Sequence, residues 1–291
     1  MSDKKFAIIA IVVTAILGSA VAGITKKGLE EIPPYSFTFL RFLIATFCVL
    51  PFFLRMKGHS VSKMRDIAPI SLFATINVIF FIVGVKYTTA NMGSVIYVAV
   101  PLLTAVILYG FFKERLSRKK EFGLLVGFIG VLFITFLPIL EKGNPFAGNL
   151  LGNILLTTAI TCWSFYLVYS KKLHEKYSSF LITANFIIVS TIATFPLFLL
   201  DLQTNFGWWN EVGAWGIFSL LYVAIIITVF NYTLNQYSIK HGGAVFASMM
   251  FYVSPVFGFI ANYFIVGELL TNGFIFGSIM ALIGTYLVVR K

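Results

Sequence analysis

The sequence predicts an all-α membrane protein: ten transmembrane helices arranged as two inverted five-helix repeats. Three observations carry that prediction. Of 291 residues, 59% are apolar or aromatic and 11% charged, against about half and a quarter in a soluble domain, and the mean hydropathy is +0.93. Apolar runs long enough to cross a bilayer recur along the whole chain. Positive charge alternates from one connector to the next. Ten helices of about 20 residues consume most of the length, which leaves no room for a soluble catalytic or nucleic-acid-binding domain.

The first run, 6–24, starts behind Lys4 and Lys5 and stops at Lys26-Lys27. The second, 35–54, follows Pro33-Pro34 and ends at Arg55. The third, 67–85, lies between Arg65 and Lys86, and the fourth, 91–112, ends at the basic cluster Lys113 to Lys120. Then come 122–140, closed by Glu141-Lys142, and 150–169, closed by Lys171-Lys172. Runs 180–200 and 212–234 are separated by Asp201 and Glu211, and 244–266 ends before Glu268. The last, 273–289, runs into Arg290-Lys291. Barrel strands need about ten residues and alternate in polarity; these runs do neither, so each is read as a helix. The first run superficially resembles a cleaved leader. Its partner in the second half and the charge alternation argue for a retained helix.

Connectors and ends on the amino-terminal side hold 17 Lys and Arg, those opposite hold 4 (Lys26, Lys27, Lys86, Lys142), and Arg41 falls inside a run. The positive-inside rule then places both termini in the cytoplasm, in a multi-pass protein of the cytoplasmic membrane. The net charge of +11 reports topology, and no nucleic-acid partner is expected. Cys48 and Cys162 lie in apolar runs, while His59, His174 and His241 are scattered through connectors. Neither a disulfide framework nor a metal site is expected, and no cofactor.

Self-comparison supplies the organisation. Pro101, Glu114, Gly123 and Gly130 recur as Pro255, Glu268, Gly277 and Gly284, each 154 positions on. Ser19 with Lys26-Lys27 matches Ser164 with Lys171-Lys172 at 145, and Tyr87 with Gly93 matches Tyr237 with Gly243 at 150. The two units are 1–142 and 143–291. Five helices per unit is an odd number, so the second copy enters the membrane upside down. Two such halves can exchange conformations and open a midplane cavity to one side and then the other.

A five-helix unit ending Pro-x12-Glu-x8-Gly-x6-Gly, present twice in about 290 residues, resembles the EamA-type branch of the drug/metabolite transporter superfamily. Gly18-Ser19, Lys27-Gly28-Leu29, Pro33-Pro34 and Leu40-Arg41-Phe42 add to the likeness. The resemblance implies ten helices, a central cavity lined by helices 1, 3, 4, 6, 8 and 9, and export or exchange of small metabolites, often amino acids. The family commonly has Trp before the first Gly-Ser; here it is Leu17, whereas the second copy keeps Trp163-Ser164.

Candidate residues follow from polarity inside the runs. All eleven acids lie at run ends or in connectors, so no interior carboxylate is available to carry a coupling proton. No phosphate-cradling Gly-rich loop occurs either. Passive or exchange-type transport is the expectation. Arg41 reads either as a fork for a substrate carboxylate or as a structural charge, paired with Glu30, Glu31 or Glu268 or snorkelling outward; the structural role is the expected one. Glu114 and Glu268 read as structural, with Ser117 and Thr271 capping the following helix. Asn91, Ser94, Tyr97, Pro101 and Thr104 share one face of helix 4, and Ser248, Tyr252, Pro255, Phe259 and Asn262 one face of helix 9. Polar stripes should point into the bundle. Asn77, Asn231, Thr161, Trp163 and Tyr166 complete the expected cavity; interhelical hydrogen bonding is the alternative for each. Pro101 and Pro255 are candidate hinges, and Gly123-x3-Gly127 with Gly273-x3-Gly277 let backbones approach closely. The leading expectation is a carrier of small organic metabolites, amino acids or related compounds, working as a monomer or weak dimer among membrane lipids. A quaternary-cation or drug efflux carrier and a metabolite channel are the alternatives, and an intramembrane enzyme lacks its nucleophile–base pair.

Overall fold

The computed structural model describes residues 3–56, 61–112, 118–204 and 206–289. Ten helices follow one another: Phe6–Gly28 (α1), Pro34–Arg55 (α2), Lys63–Tyr87 (α3), Ala90–Phe111 (α4), Arg118–Leu140 (α5), Pro145–Leu173 (α6), Ser179–Thr204 (α7), Ala214–Gly242 (α8), Ala244–Val266 (α9) and Asn272–Val288 (α10). Among the described residues the first nine are long and apolar enough to span a bilayer, and α10 is a shorter apolar helix. α8 runs eight residues past the end of its apolar run. Its last turns carry Asn235, Gln236 and Ser238, polar groups that hydropathy excludes but the bundle buries. Helices alternate in direction, so α1, α3, α5, α7 and α9 begin at the end holding Asp3, here the terminal end, and finish at the distal end.

The packing repeats with the sequence. α1 packs on α8 as α6 packs on α3, α2 packs on α7, and α5 on α10; exchanging the two halves maps this set of pairs onto itself. Lys26, closing α1, donates to the Thr88 carbonyl beyond α3 at the distal end. Lys171, its repeat partner, donates from α6 to the Lys240 carbonyl of α8 at the terminal end, 2.9 Å away. The same contact at opposite ends is what an inverted repeat produces.

α5 and α10 form the most extensive helix pair. A Cβ on Gly284 would fall on the Gly127 backbone, and one on Gly130 would come 2.5 Å from the Ala281 nitrogen. Gly123 and Gly277 meet the opposing helix at 2.7 and 2.6 Å in the same way. The seam is therefore made by the four glycines that recur at 154 positions, not by Gly273, whose Cβ would meet the Glu141 carboxylate. Small residues allow this approach where lipid supplies no hydrophobic drive.

Acids at the distal end serve backbone groups. Five helices start there, each exposing unpaired N–H groups and the positive end of its dipole. Asp201 Oδ2 accepts from Ser36 N–H at 2.7 Å, opening α2. Glu268 takes Ala90 and Asn91 N–H at 2.7 and 2.8 Å, opening α4. Glu31 Oε2 takes Gly213 and Gly216 N–H of α8, both at 2.8 Å, and Glu141 takes Gly273 N–H of α10 at 3.0 Å. Asn149 accepts from Leu151 N–H in α6 at 2.9 Å. Thr271 accepts from Phe274 N–H at 3.1 Å, while Glu114, Ser117 and His59 lie outside the described residues.

Four helices are irregular within their lengths. α1 breaks at Ala20, between Asp3–Ser19 and Val21–Gly28. α4 tightens into a 3-10 turn, Ile96–Ala99, where Val100 N–H bonds Tyr97 O; Pro101 cannot, because it has no N–H. α8 widens into a π-helix, Tyr222–Asn231, across the stiff β-branched run Ile225 to Thr228. α9 is interrupted at Met249, between Ala244–Ser248 and Met250–Val266. Pro255, expected to be the hinge, lies within continuous helix.

Candidate functional site

The four irregular helices meet at one cavity. The irregularities are local: Ala20 and Met249 keep right-handed helical torsions, and 3-10 or π adjustments are tolerated at membrane depth where neighbouring helices satisfy the backbone. Lining residues come from α1 (Gly18, Ser19), α3 (Asn77, Phe81), α4 (Gly93, Ser94, Tyr97), α6 (Trp163), α8 (Ile227, Asn231, Tyr232) and α9 (Met250, Phe251, Ser254), with Arg41 added from α2. The volume is about 80 Å³, counted as room for the centres of water molecules. One water needs roughly 10–15 Å³, so the space takes a small cluster of waters or a small solute.

The expected site residues divide. Asn77, Ser94, Tyr97, Trp163 and Asn231 share the cavity wall. Asn77 donates to Tyr97 Oη at 2.7 Å and to the Ala159 carbonyl at 2.8 Å. Asn231 Nδ2 donates to the Thr14 carbonyl at 3.0 Å, which ties α8 to α1. Asn91, Thr161, Tyr166, Ser248 and Tyr252 do not line it. Asn91 lies nearer the distal end, held by Glu268 and accepting from Asn262 Nδ2 at 3.0 Å. Thr161 donates back to Thr157 O, two residues and about 200° around the helix from Trp163. Tyr166 is packed against Trp163 and Phe186, ring centroids 5.0 and 5.6 Å away. Ser248 precedes the break in α9 and bonds Val245 O. The stripe through Tyr252 and Phe259 turns to α10, where Phe259 meets Phe274 at 5.2 Å. The face turned to the cavity is Met250, Phe251 and Ser254, and only Ser254 carried a polar signal in the sequence.

Arg41 departs from its expected role. Glu30 pairs with Lys27 at 2.6 Å, Glu31 caps α8, and Glu268 pairs with Lys26 at 3.4 Å. All three acids are engaged at the distal end, and among the described residues none pairs with Arg41. The guanidinium is 1% exposed. Its Nε donates to Thr228 Oγ1 at 2.8 Å and its Nη2 to Tyr232 Oη at 3.1 Å. The Phe42 and Tyr232 rings lie 5.3 and 5.7 Å from Cζ. The π-helix places Thr228 for this bond, its own hydroxyl donating five residues back to Val223 O.

The cavity is bracketed by polar ties. At the distal side Asn262 donates to Asn91 and Ser94, and Lys26 with Glu268 joins α1, α4 and α9. At the terminal end His174 meets Gln236 Oε1 at 2.9 Å, and Gln236 donates to Ser170. Burial, then the charges of Lys240 and Lys171, bring the His174 pKa from 6.5 down to about 4. Between those values the unfolded chain holds a proton that the folded one refuses, so stability rises with pH across the window and levels off above it. Melting temperatures followed from pH 4 to 7 should show this slope, and His174→Gln should flatten it. An equal slope in the variant would place its origin elsewhere.

An all-helical bundle of inverted halves, folded around a membrane-depth polar cavity, defines a membrane transporter. The EamA-like transporter family matches residues 5–136 and again 150–290. The chain belongs to that family, within the drug/metabolite transporter superfamily, and transport rather than catalysis is its work. It is 25% identical to an Archaeoglobus fulgidus protein named an uncharacterized transporter, over 99% of each chain. It is also 25% identical to uncharacterized transporter YyaM of Bacillus subtilis, over 93% of this chain and 89% of that one. WAT1-related protein At1g43650 of Arabidopsis thaliana is 21% identical over 87% and 81%. A solved crystal structure superposes with a TM-score of 0.65 at 17% identity, covering 99% of this chain and 97% of its own, and it shares the fold.

Proposed function

We propose that the protein is a secondary carrier that moves small organic metabolites, amino acids or related compounds, across the cytoplasmic membrane by alternating access, as an exporter or exchanger. Residues 1–142 and 143–291 are the halves that trade conformations, with both termini in the cytoplasm. The observation that carries this reading is the polar cavity enclosed by α1, α3, α4, α6, α8 and α9, with Lys26 and Lys171 tying helices together at its two ends. Carriers built from inverted repeats bind solute near the bilayer midplane, at the interface between their halves. Hydroxyl, amide and aromatic groups suit a small polar solute with an apolar part.

The test is counterflow in proteoliposomes without an imposed ion gradient. Labelled amino acid outside should accumulate transiently when the unlabelled compound is loaded inside, and the rate should saturate. Flux proportional to concentration would identify a channel instead. Strict dependence on a proton or sodium gradient would overturn the exchange mechanism.

A further inference from the structure

We infer that Arg41, Trp163 and Asn231 form a reader for a zwitterionic carboxylate, which makes the carried solute an amino acid with an apolar side chain and excludes cations. The inference rests on the cavity being the seat of the carried solute. Its first ground is charge. Among the described residues, Arg41 is the single ionic side chain in the lining, which contains no Asp, Glu, Lys or His. A guanidinium buried without a counter-ion is costly, and a bound anion offsets that cost. Two of its five N–H groups are taken by Thr228 and Tyr232; the rest have no acceptor among the described residues, and a carboxylate is the planar, two-oxygen partner a guanidinium fork matches. A phosphate ester would call for more positive charge than one arginine supplies.

The second ground is a pair of unused polar atoms on the same wall. Trp163 Nε1 and Asn231 Oδ1 are buried with no hydrogen-bond partner among the described residues, on residues each 2% exposed. Groups left so in a native structure call for an explanation. The indole N–H is a donor only, and Trp163 packs at a tilt against Tyr232, 5.3 Å between ring centroids, which sets it beside a ring that Arg41 also contacts. It adds a second donor for carboxylate oxygen. Asn231 is oriented by its Nδ2 bond to Thr14 O, so the atom left free is an acceptor, suited to an ammonium. Val78, Phe81, Ile227, Met250 and Phe251 supply the apolar remainder of the lining.

Four probes sharing an isobutyl group test this: L-leucine, 4-methylpentanoate, leucinamide and 3-methylbutylamine, with inorganic phosphate as a fifth. Thermal shift of the purified protein reads binding, and counterflow in vesicles reads transport. Leucine should stabilise most and 4-methylpentanoate less, while the two cations and phosphate should not. Arg41→Gln should weaken leucine binding at least tenfold, Arg41→Lys less, and Trp163→Phe about threefold. If Arg41→Gln does not fold, the Lys and Phe variants carry the comparison. Cations or phosphate stabilising as well as leucine, carboxylate binding unchanged in the variants, or no stabilisation by any carboxylate would overturn the inference. Counterflow of cations alone would overturn it while leaving the carrier reading intact. Carboxylate binding lost with Arg41 but without any flux would remove the carrier, and with it the identity of the carried solute, while leaving a carboxylate-binding site at Arg41.

Discussion

Glu268→Ala is expected to cost about 3–5 kcal/mol of stability, the toll of breaking a buried pair from one side, and to loosen the start of α4. Glu268 is 7% exposed, pairs with Lys26 at 3.4 Å, and uses both oxygens on the Ala90 and Asn91 amides. Alanine strands a partly buried ammonium and uncovers two helix N–H groups at the positive end of a dipole. Because Lys26 keeps 27% exposure and its bond to Thr88 O, the lower part of that range is the expected value. Glu268→Gln retains an acceptor but no charge, so it should fall between. Unfolding in mixed detergent micelles measures the loss, and hydrogen exchange over residues 90–95 localises it. Unchanged exchange there would mean that the start of α4 is held by something other than this carboxylate. Since the same side chain ties α1, α4 and α9 together, the variant should also favour opening of the distal side.

The second large effect is steric. Gly284→Ala should cost about 1–3 kcal/mol, the range for overpacking, and Gly284→Val should deplete folded protein altogether. The added carbon falls on the backbone of Gly127 and lies 2.6 Å from the Gly123 carbonyl, where no rotamer change can relieve it. Gly110 is the control, because a Cβ there meets nothing within 4 Å. Gly110→Ala should be neutral or stabilising by about 0.5–1 kcal/mol through lost backbone freedom in the unfolded chain. Size-exclusion profiles and melting temperatures of the three variants decide the matter. Equal behaviour of Gly284→Ala and Gly110→Ala would count against a tight α5–α10 seam.

Much of this architecture is legible in the chain. Hydropathy marks the helices because lipid exposure is a property of each run by itself, and the recurring glycines at 154 positions mark a seam that meets its own copy. Asn77, Ser94, Tyr97, Trp163 and Asn231 stand out because a polar group at membrane depth must face protein or water. The same reasoning misplaces Tyr252 and Ser248: the wall of α9 is formed by Met250, Phe251 and Ser254, while Tyr252 shares a face with Phe259, which packs on α10. Phe251 and Met250 carry no signal, being apolar residues in an apolar run. The targets of the capping acids are not legible: Glu268, expected to be structural, reaches α4, and Glu31, expected as a partner for Arg41, reaches α8, both far away in sequence.

By itself the sequence determined the number of helices, their inverted repetition and the family, because these follow from local composition and from comparison of the chain with itself. Only the tertiary structure decided the solvation of Arg41. Three nearby carboxylates were available to it on paper, and each is drawn to a lysine or an open helix end at the distal side. The guanidinium is left facing the cavity, held by Thr228 from a π-helical turn and by Tyr232. Which partner a buried charge obtains depends on distances between helices, and those are not written in the order of residues.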